Sequence, residues 1–333
     1  MASKTPAYAV AAPELEIPVV TSSVISVHDL VHRYEGRVAL SGVSFEVQHA
    51  ELFGLLGPNG SGKTTLFRIL STLMVPFGGR AVIMGYDAAR EPDQLRRQIG
   101  VVFQAQSIDV KLTAEENLWH QGHLYGLHGA VLRLRIASML ARVGLSDRAH
   151  EKAETLSGGM QRRLELAKGL LHHPSVLLLD EPTTGLDPGA RRDLWQYLQI
   201  LRDEESVTVI VTTHLMEEAE HCDRLAILNE GKLVALGTPS DLRHEIGGDV
   251  ILLDAPDPDA LAERIRRRFN VDAQVFGGQV RLERENGHRF ITDVLEAFPG
   301  EINAISVSKP TLEDVFIRRT GHKFWTDREK EQG

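Results

Sequence analysis

The chain has 333 residues, more than one hydrophobic core usually organises, so a large domain and a smaller one are expected. Hydrophobic residues make up 42% of the chain, and no apolar run approaches the roughly 18 residues that a membrane-spanning helix needs. The net charge of −9 argues against broad nucleic-acid binding, and the single cysteine, Cys222, excludes an internal disulfide framework.

The first segment with strand-like character begins at Val24. Residues 1–24 are rich in Ala and Pro without periodicity, which predicts a loose tail rather than a signal peptide. The first strand should end near Tyr34, and the alternating stretch Val43–Val47 predicts a half-buried antiparallel strand. Tyr34 by itself is compatible with an ordinary surface aromatic residue at a strand end.

A buried strand, a glycine-rich turn and a helix follow in direct succession. Leu52–Leu56 is continuously apolar, helical spacing begins at Leu66, and between them lie Gly57, Pro58, Asn59, Gly60, Ser61, Gly62, Lys63, Thr64 and Thr65. This phosphate loop fits the pattern G-x-x-x-x-G-K-[ST] in the context that the pattern requires. Its N–H groups would surround phosphate oxygens, Lys63 would reach the β- and γ-phosphates, and Thr64 would bind Mg²⁺. The segment predicts a site for a nucleoside triphosphate.

Ile99–Phe103 predicts another buried strand, which runs directly into Gln104. Ligands bind at the carboxyl ends of strands in open α/β sheets, although a solvated loop residue is the plainer interpretation of Gln104. Thr113 and Glu116 have the spacing of a capping box, so a helix should begin there. Helical periodicity then continues to about Val143.

Leu156-Ser157-Gly158-Gly159-Met160 predicts a second helix start that suits an anion. Ser157 is a natural N-cap and the two glycines leave backbone N–H groups uncovered, independently of the phosphate loop. An ordinary capped helix is the alternative. The helix itself is indicated by an apolar stripe of Leu164, Ala167 and Leu171.

Two further strands end in polar residues. Val176–Leu179 reads as a central strand of a parallel sheet and leads into Asp180 and Glu181, carboxylates that are costly to bury unless they bind something. Asp180 is placed to hold Mg²⁺, and Glu181 to accept a proton from an attacking water. Val207–Val211 predicts the next strand and ends near His214, which is either structural or a third contributor to the same crevice.

The C-terminal part of the chain changes character at Gly247-Gly248. We expect residues 25–246 to form the nucleotide-binding domain and residues 247–333 an accessory domain. The accessory elements follow the order β-α-β-β-α-β with a final helix, which suggests a ferredoxin-like α+β unit. Nothing in this unit looks catalytic.

Taken in this order, the phosphate loop, Gln104, Leu156–Met160, Val176–Asp187 and His214 resemble the ATP-binding subunit of an ABC transporter. The resemblance covers about residues 25–245. It implies an α/β fold, namely a P-loop NTPase domain of ABC type with a mixed sheet, an antiparallel edge sheet and a helical subdomain. It also implies ATP and Mg²⁺ as ligands and an ATPase reaction coupled to transmembrane transport.

The resemblance also implies roles within one copy of the chain. Tyr34 would stack on adenine, and Gln104 would contact Mg²⁺ and relay its state to a membrane subunit. Glu181 would activate the attacking water, while His214 would contact the γ-phosphate.

Other roles depend on a second copy. The resemblance implies that Ser157, Gly158 and Gly159 bind the γ-phosphate of ATP held by the other copy, with Asp187 at the dimer seam. The family's signature usually ends in Gln, where this chain has Met160. Because the serine and the glycines remain, phosphate binding should survive this departure.

The expected assembly is a homodimer of ATP-binding subunits on an integral membrane subunit, at the cytoplasmic face of the membrane and without nucleic acid. Arg162-Arg163-Leu164 after the signature and the closing Pro310–Phe316 resemble drug-resistance exporters of the daunorubicin type.

One alternative is a soluble ABC-type ATPase that acts on ribosomes or nucleic acid. ATPases of this type that act on ribosomes usually carry two cassettes per chain, and those that act on DNA carry long coiled-coil insertions. This sequence shows neither feature. Another alternative is a nucleotide switch that does not hydrolyse ATP.

Overall fold

The computed structural model describes residues 23–324, so the predicted tail of residues 1–24 lies almost entirely outside the described residues. The strands are β1 (Ile25–Tyr34), β2 (Arg37–Val47), β3 (Leu52–Leu56), β4 (Gly78–Ile83), β5 (Tyr86–Asp87), β6 (Ile99–Val102), β7 (Val176–Asp180), β8 (Thr208–Thr213), β9 (Arg224–Asn229), β10 (Lys232–Gly237), β11 (Asp249–Asp254), β12 (Ala273–Phe276), β13 (Gln279–Arg284) and β14 (Ala304–Ser308). The α-helices are α1 (Lys63–Leu70), α2 (Pro92–Leu95), α3 (Ala114–Leu124), α4 (Gly129–Arg142), α5 (Gly158–Leu170), α6 (Pro188–Glu205), α7 (Met216–Ala219), α8 (Pro239–His244), α9 (Pro258–Phe269), α10 (Gly287–Ala297) and α11 (Leu312–Thr320).

The central sheet has the strand order β10-β9-β3-β8-β7-β6, and all neighbours are parallel except β10 and β9. Every residue of β3, β7 and β8 is buried, as expected for central strands of a parallel sheet. Because the carboxyl ends of parallel strands meet at one edge, this sheet brings together the residues that follow β3, β6, β7 and β8.

A second sheet, of order β2-β1-β4-β5, is antiparallel. Its apolar residues share one core with α1 and with one face of the central sheet. The predicted strand Val43–Val47 is the second half of a longer strand, β2, whose pairing with β1 contains register shifts.

The periodic stretch that ends near Val143 forms two helices rather than one. Thr113 caps α3 through the predicted capping box: its Oγ1 accepts from Glu116 N at 3.1 Å, and Glu116 Oε2 accepts from Thr113 N at 2.8 Å. α3 ends before Gly126 and α4 begins at Gly129. Both glycines have positive φ, 73° and 61°, which interrupts the helix. Within residues 23–324, no helix has the length and apolarity needed to cross a membrane.

The C-terminal sheet has the order β12-β13-β11-β14 with antiparallel neighbours, as expected for a ferredoxin-like unit. Helices α9 and α10 cover one face. α11 packs on the other face, where Phe316 shares a core with Leu242 of α8 and Ala235 of β10. The accessory unit therefore shares a core with the nucleotide-binding part. A domain boundary at Gly247-Gly248 remains a prediction.

A stacked pair, Tyr125 and His172, joins the turn after α3 to the end of α5. The ring centroids are 3.7 Å apart with an interplanar angle of 10°. His172 Nε2 donates to Ile99 O at 3.0 Å, and its buried Nδ1 has no hydrogen-bond partner among the described residues. Burial lowers the pKa of His172 to about 4, because a proton on Nδ1 would be left without an acceptor.

We expect the free energy of unfolding to fall as the pH drops from about 6.5 to about 4, because only the unfolded chain protonates His172 over this range. At 1.36 kcal/mol for each pKa unit, His172 accounts for at most about 3 kcal/mol. Urea titrations at a series of pH values should show this slope. His172→Gln should flatten it, whereas His288→Gln, at an exposed site, should not. The same slope in wild type and His172→Gln would contradict the assignment.

Candidate active site

The phosphate loop wraps closely around the start of α1. Gly62 is the N-cap with φ 108°, and a Cβ there would lie 2.6 Å from Ala39 O. A Cβ on Gly57 would lie 2.5 Å from Leu228 O. Glycine is therefore required at both positions, because the loop backbone is pressed against β2 and β9.

Lys63 lies across this loop rather than in solvent. Its Nζ donates to Gly57 O at 2.5 Å and to Pro58 O at 3.0 Å, and the residue is buried. The first turn of α1 contains no acidic residue. Buried Ser61 Oγ has no hydrogen-bond partner within the described part of the chain, while Thr64 is exposed. A helix start, an ammonium group and free hydroxyls fit a phosphate group.

Asp180 ends β7 and is buried, with only 7% exposed. Its Oδ1 accepts from Thr212 Oγ1 of the neighbouring strand β8 at 2.6 Å. Burial raises the pKa of the Asp180 carboxyl, although Thr212 and Lys63 act in the opposite direction. A bound cation would offset this cost of burial, and oxygen ligands such as Asp180 and Thr64 are those that Mg²⁺ prefers.

Glu181 is the point at which three strand ends meet. Its Oε1 lies 3.0 Å from His214 Nδ1, and its Oε2 accepts from Gln104 Nε2 at 3.1 Å and from Thr184 Oγ1 at 3.4 Å. Burial alone would raise the pKa of Glu181, but His214, Lys63 and Thr184 together bring it below its usual value. The side chain is therefore an ionised carboxylate at neutral pH.

The signature segment Leu156–Met160 lies at a separate surface. Ser157 caps α5, with Oγ accepting from Met160 N at 3.3 Å, and nothing lies within 4 Å of a Cβ on Gly158. Asp187 caps α6, with Oδ1 accepting from Gly189 N at 2.9 Å and Ala190 N at 3.0 Å. Between the two helix starts is a cavity of about 330 Å³, here called the signature cavity, whose lining includes Ser157, Gly159 and Asp187.

Tyr34 lies beside the phosphate loop. Its Oη is 3.3 Å from Thr65 Oγ1 and donates to Met74 Sδ at 3.6 Å. The ring makes an edge contact with His32, and the residue is 42% exposed. Stacking on adenine stays a prediction.

The sequence did not reveal that several buried polar residues help to set the geometry of the site. Arg162 and Glu165 of α5 form an ion pair at 3.4 Å, and Thr212 binds Asp180. Glu218 accepts from Thr213 Oγ1 at 2.5 Å and from the hydroxyl of Thr183, which holds the turn after Glu181 beside the segment that carries His214. For Arg162 and Glu165, the sequence signal that could have revealed the pair is their opposite charge at positions i and i+3 of a helix that also carries an apolar stripe.

Comparison with known proteins identifies both parts of the chain. A family model described as "ABC transporter" matches residues 40–184, and one described as "ATP-binding protein DrrA1-3-like, C-terminal domain" matches residues 237–320. The chain is 38% identical over 297 residues to the linearmycin resistance ATP-binding protein LnrL of Bacillus subtilis strain 168, covering 86% of this chain and 95% of that protein. It is 36% identical over 307 residues to the daunorubicin/doxorubicin resistance ATP-binding protein DrrA of Streptomyces peucetius, covering 90% and 92%.

A solved structure supports the same assignment. The dimeric ATP-binding cassette MJ0796, in a post-hydrolysis state bound to ADP and Pi, is similar with a TM-score of 0.59 and 29% identity, over 64% of this chain and 98% of that chain. The predicted fold class and the narrower resemblance to daunorubicin-type proteins are thus confirmed. The chain therefore belongs to the ABC transporter family and is an ATP-binding protein of the kind that hydrolyses ATP to drive transport.

Proposed function

We propose that this chain is the energy-coupling subunit of an exporter, in which two copies close around two Mg-ATP and act on a separate membrane subunit. The names of the relatives, which are drug-resistance ATP-binding proteins, support export. The dimer rests on one observation. The signature cavity and the phosphate loop share no lining residue, although each has a helix start without acidic residues in its first turn. Each is one half of a phosphate site, so a second copy completes both.

Within each site, Glu181 accepts the proton of the water that attacks the γ-phosphate, because it is ionised and is oriented by Gln104 and His214. Lys63 supplies positive charge where the phosphoryl group is transferred. Thr64 and Asp180 would hold Mg²⁺, which when bound neutralises charge on the β- and γ-phosphates.

Dimerisation tests this proposal directly. We expect Gly158→Asp to abolish ATP-dependent dimers, because the new carboxylate would face the γ-phosphate held by the partner copy. The open space around Gly158 and the helix dipole both accept an aspartate, so folding should not suffer. Light scattering with ATP and Mg²⁺, in a Glu181→Gln background that slows hydrolysis, would measure the effect.

Ser138→Asp, on the exposed face of α4, is the matched control and should dimerise normally. ATP binding to the Gly158→Asp monomer, measured by calorimetry, should be unchanged. A dimer of Gly158→Asp as stable as that of the control would contradict the proposed role of the signature segment. A Glu181→Gln parent that stays monomeric with ATP, even beside its membrane subunit, would contradict the dimer itself.

The membrane subunit has a suitable surface on this chain. A cavity of about 750 Å³ lies between β6, α3 and α5, and its lining includes Leu73, Phe103, Leu124 and Tyr125. Leu73 is 61% exposed and Leu124 82%, so apolar side chains border the opening of this docking groove. Because Phe103 directly precedes Gln104, a partner bound in the groove would contact the segment that holds Glu181 in position.

We expect Leu73→Asp/Leu124→Asp to lose co-purification with the proposed membrane subunit, because two charges would enter an apolar contact. Basal ATP hydrolysis of the isolated subunit should stay unchanged, since neither side chain contacts the proposed active site. Leu134→Asp is the control, as Leu134 is 72% exposed on α4 and lies outside the groove. If the double variant still co-purified with the membrane protein, the docking surface would be elsewhere. Co-purification with ribosomes or nucleic acid would favour the soluble alternative.

A further inference from the structure

One buried guanidinium links the signature helix α5 to the segments on both sides of Glu181. Arg162 is 7% exposed. Its Nε donates to Pro182 O at 2.7 Å, and its Nη2 donates to Asp180 O at 3.3 Å. Its Nη1 donates to Phe103 O at 2.8 Å, directly before Gln104. Only the planar fork of arginine presents donors to several carbonyls in fixed directions.

Glu165, one turn further along α5, extends this connection. Its Oε2 lies 3.4 Å from Arg162 Nη1, and its Oε1 accepts from Ile108 N at 3.0 Å and from Ser107 N. Lys168 Nζ donates to Ser107 O at 2.6 Å. The loop that follows β6 and contains Gln104 is thus fastened to successive turns of α5.

Glu181 itself has a strained backbone. Its φ is +42°, a conformation that non-glycine residues adopt at a cost of about 1–3 kcal/mol and keep only where neighbouring structure holds them. The flanking carbonyls of Asp180 and Pro182 both bind Arg162. A shift or rotation of α5 would therefore change the direction of Glu181 and of Gln104 together.

We propose that Arg162 is a positioning residue that couples the two ATP sites of the dimer. The N-terminus of α5 binds the phosphate of the ATP held by the partner copy, while the strand ends that Arg162 holds serve the ATP of its own copy. Engagement of one ATP by α5 therefore aligns Glu181 at the other. This inference rests on the sandwich dimer of the proposed function.

The Hill coefficient of ATP hydrolysis tests the coupling, because it can reach the number of sites, two, only when they communicate. We expect Arg162→Lys to lower the Hill coefficient toward 1 and kcat by about 10–100-fold, since small misplacements of reacting groups cost about this much. The affinity of the monomer for ATP, measured by calorimetry, should change by less than about twofold. A purely structural role would lower the folded fraction without changing the Hill coefficient of the folded enzyme.

Arg162→Met/Glu165→Gln is the second variant. It removes both charges, so that no uncompensated buried charge opposes folding, and it should lower the Hill coefficient in the same way. Arg133→Met, at an exposed position of α4, should match wild type in every measurement. A cooperative wild type with an unchanged Hill coefficient in both Arg162 variants would overturn the inference. A wild type that hydrolyses ATP without forming a dimer would instead overturn the proposed function.

Discussion

Replacing Glu181 with Gln is expected to lower the rate of ATP hydrolysis by about 10²–10⁴, or about 3–5 kcal/mol, because it removes the base that accepts the proton of water. The amide keeps the shape of the carboxylate and can still bond to Gln104. The contact of 3.0 Å with His214 Nδ1 loses only its charge. ATP should therefore still bind and still close the dimer. Phosphate release at steady state measures the first effect, and light scattering with ATP and Mg²⁺ measures the second.

Glu217→Gln provides the control for this experiment, because Glu217 is an exposed carboxylate on α7, near His214 in sequence. It should hydrolyse ATP at the wild-type rate. Near-normal hydrolysis by Glu181→Gln would remove Glu181 from the role of base. Loss of ATP binding in that variant would instead assign Glu181 to the binding of nucleotide.

Lys63→Ala should weaken the binding of ATP itself, by about 10–10² in Kd, since a hydrogen bond to a charged group contributes roughly 1.5–3 kcal/mol. The ammonium is buried in the loop and bonded to Gly57 O and Pro58 O, so it is already placed where phosphate oxygens would enter. Calorimetric titration of the variant with ATP gives the affinity. Hydrolysis at saturating ATP should also fall, because Lys63 stabilises the charge that develops during transfer.

Lys232→Ala tests whether any loss of positive charge has this effect. Lys232 is exposed on β10, and its removal should leave the affinity for ATP unchanged. An unaltered Kd in Lys63→Ala would contradict the phosphate loop as the site of the β- and γ-phosphates.

Local sequence was sufficient for the parts of the site whose geometry depends on neighbouring residues alone. The phosphate loop is a strand, a turn and a helix in immediate succession, and its glycines are required by the close backbone packing that the structure shows. The N-caps at Ser157 and Thr113 follow from hydrogen bonds between residues i and i+3. The order of the C-terminal elements likewise predicted the ferredoxin-like unit, because β-α-β-β-α-β is a recurring motif with a characteristic strand order.

Tertiary structure decided which distant residues touch. Gln104 and Glu181 are separated by 77 positions, and they meet only because β6 and β7 are neighbours in the sheet. Arg162 reaches its three carbonyls for the same reason. A hydrophobic pattern shows that a strand is buried but carries no information on which strand pairs with it, and a buried polar side chain acquires its function from partners that this pairing supplies.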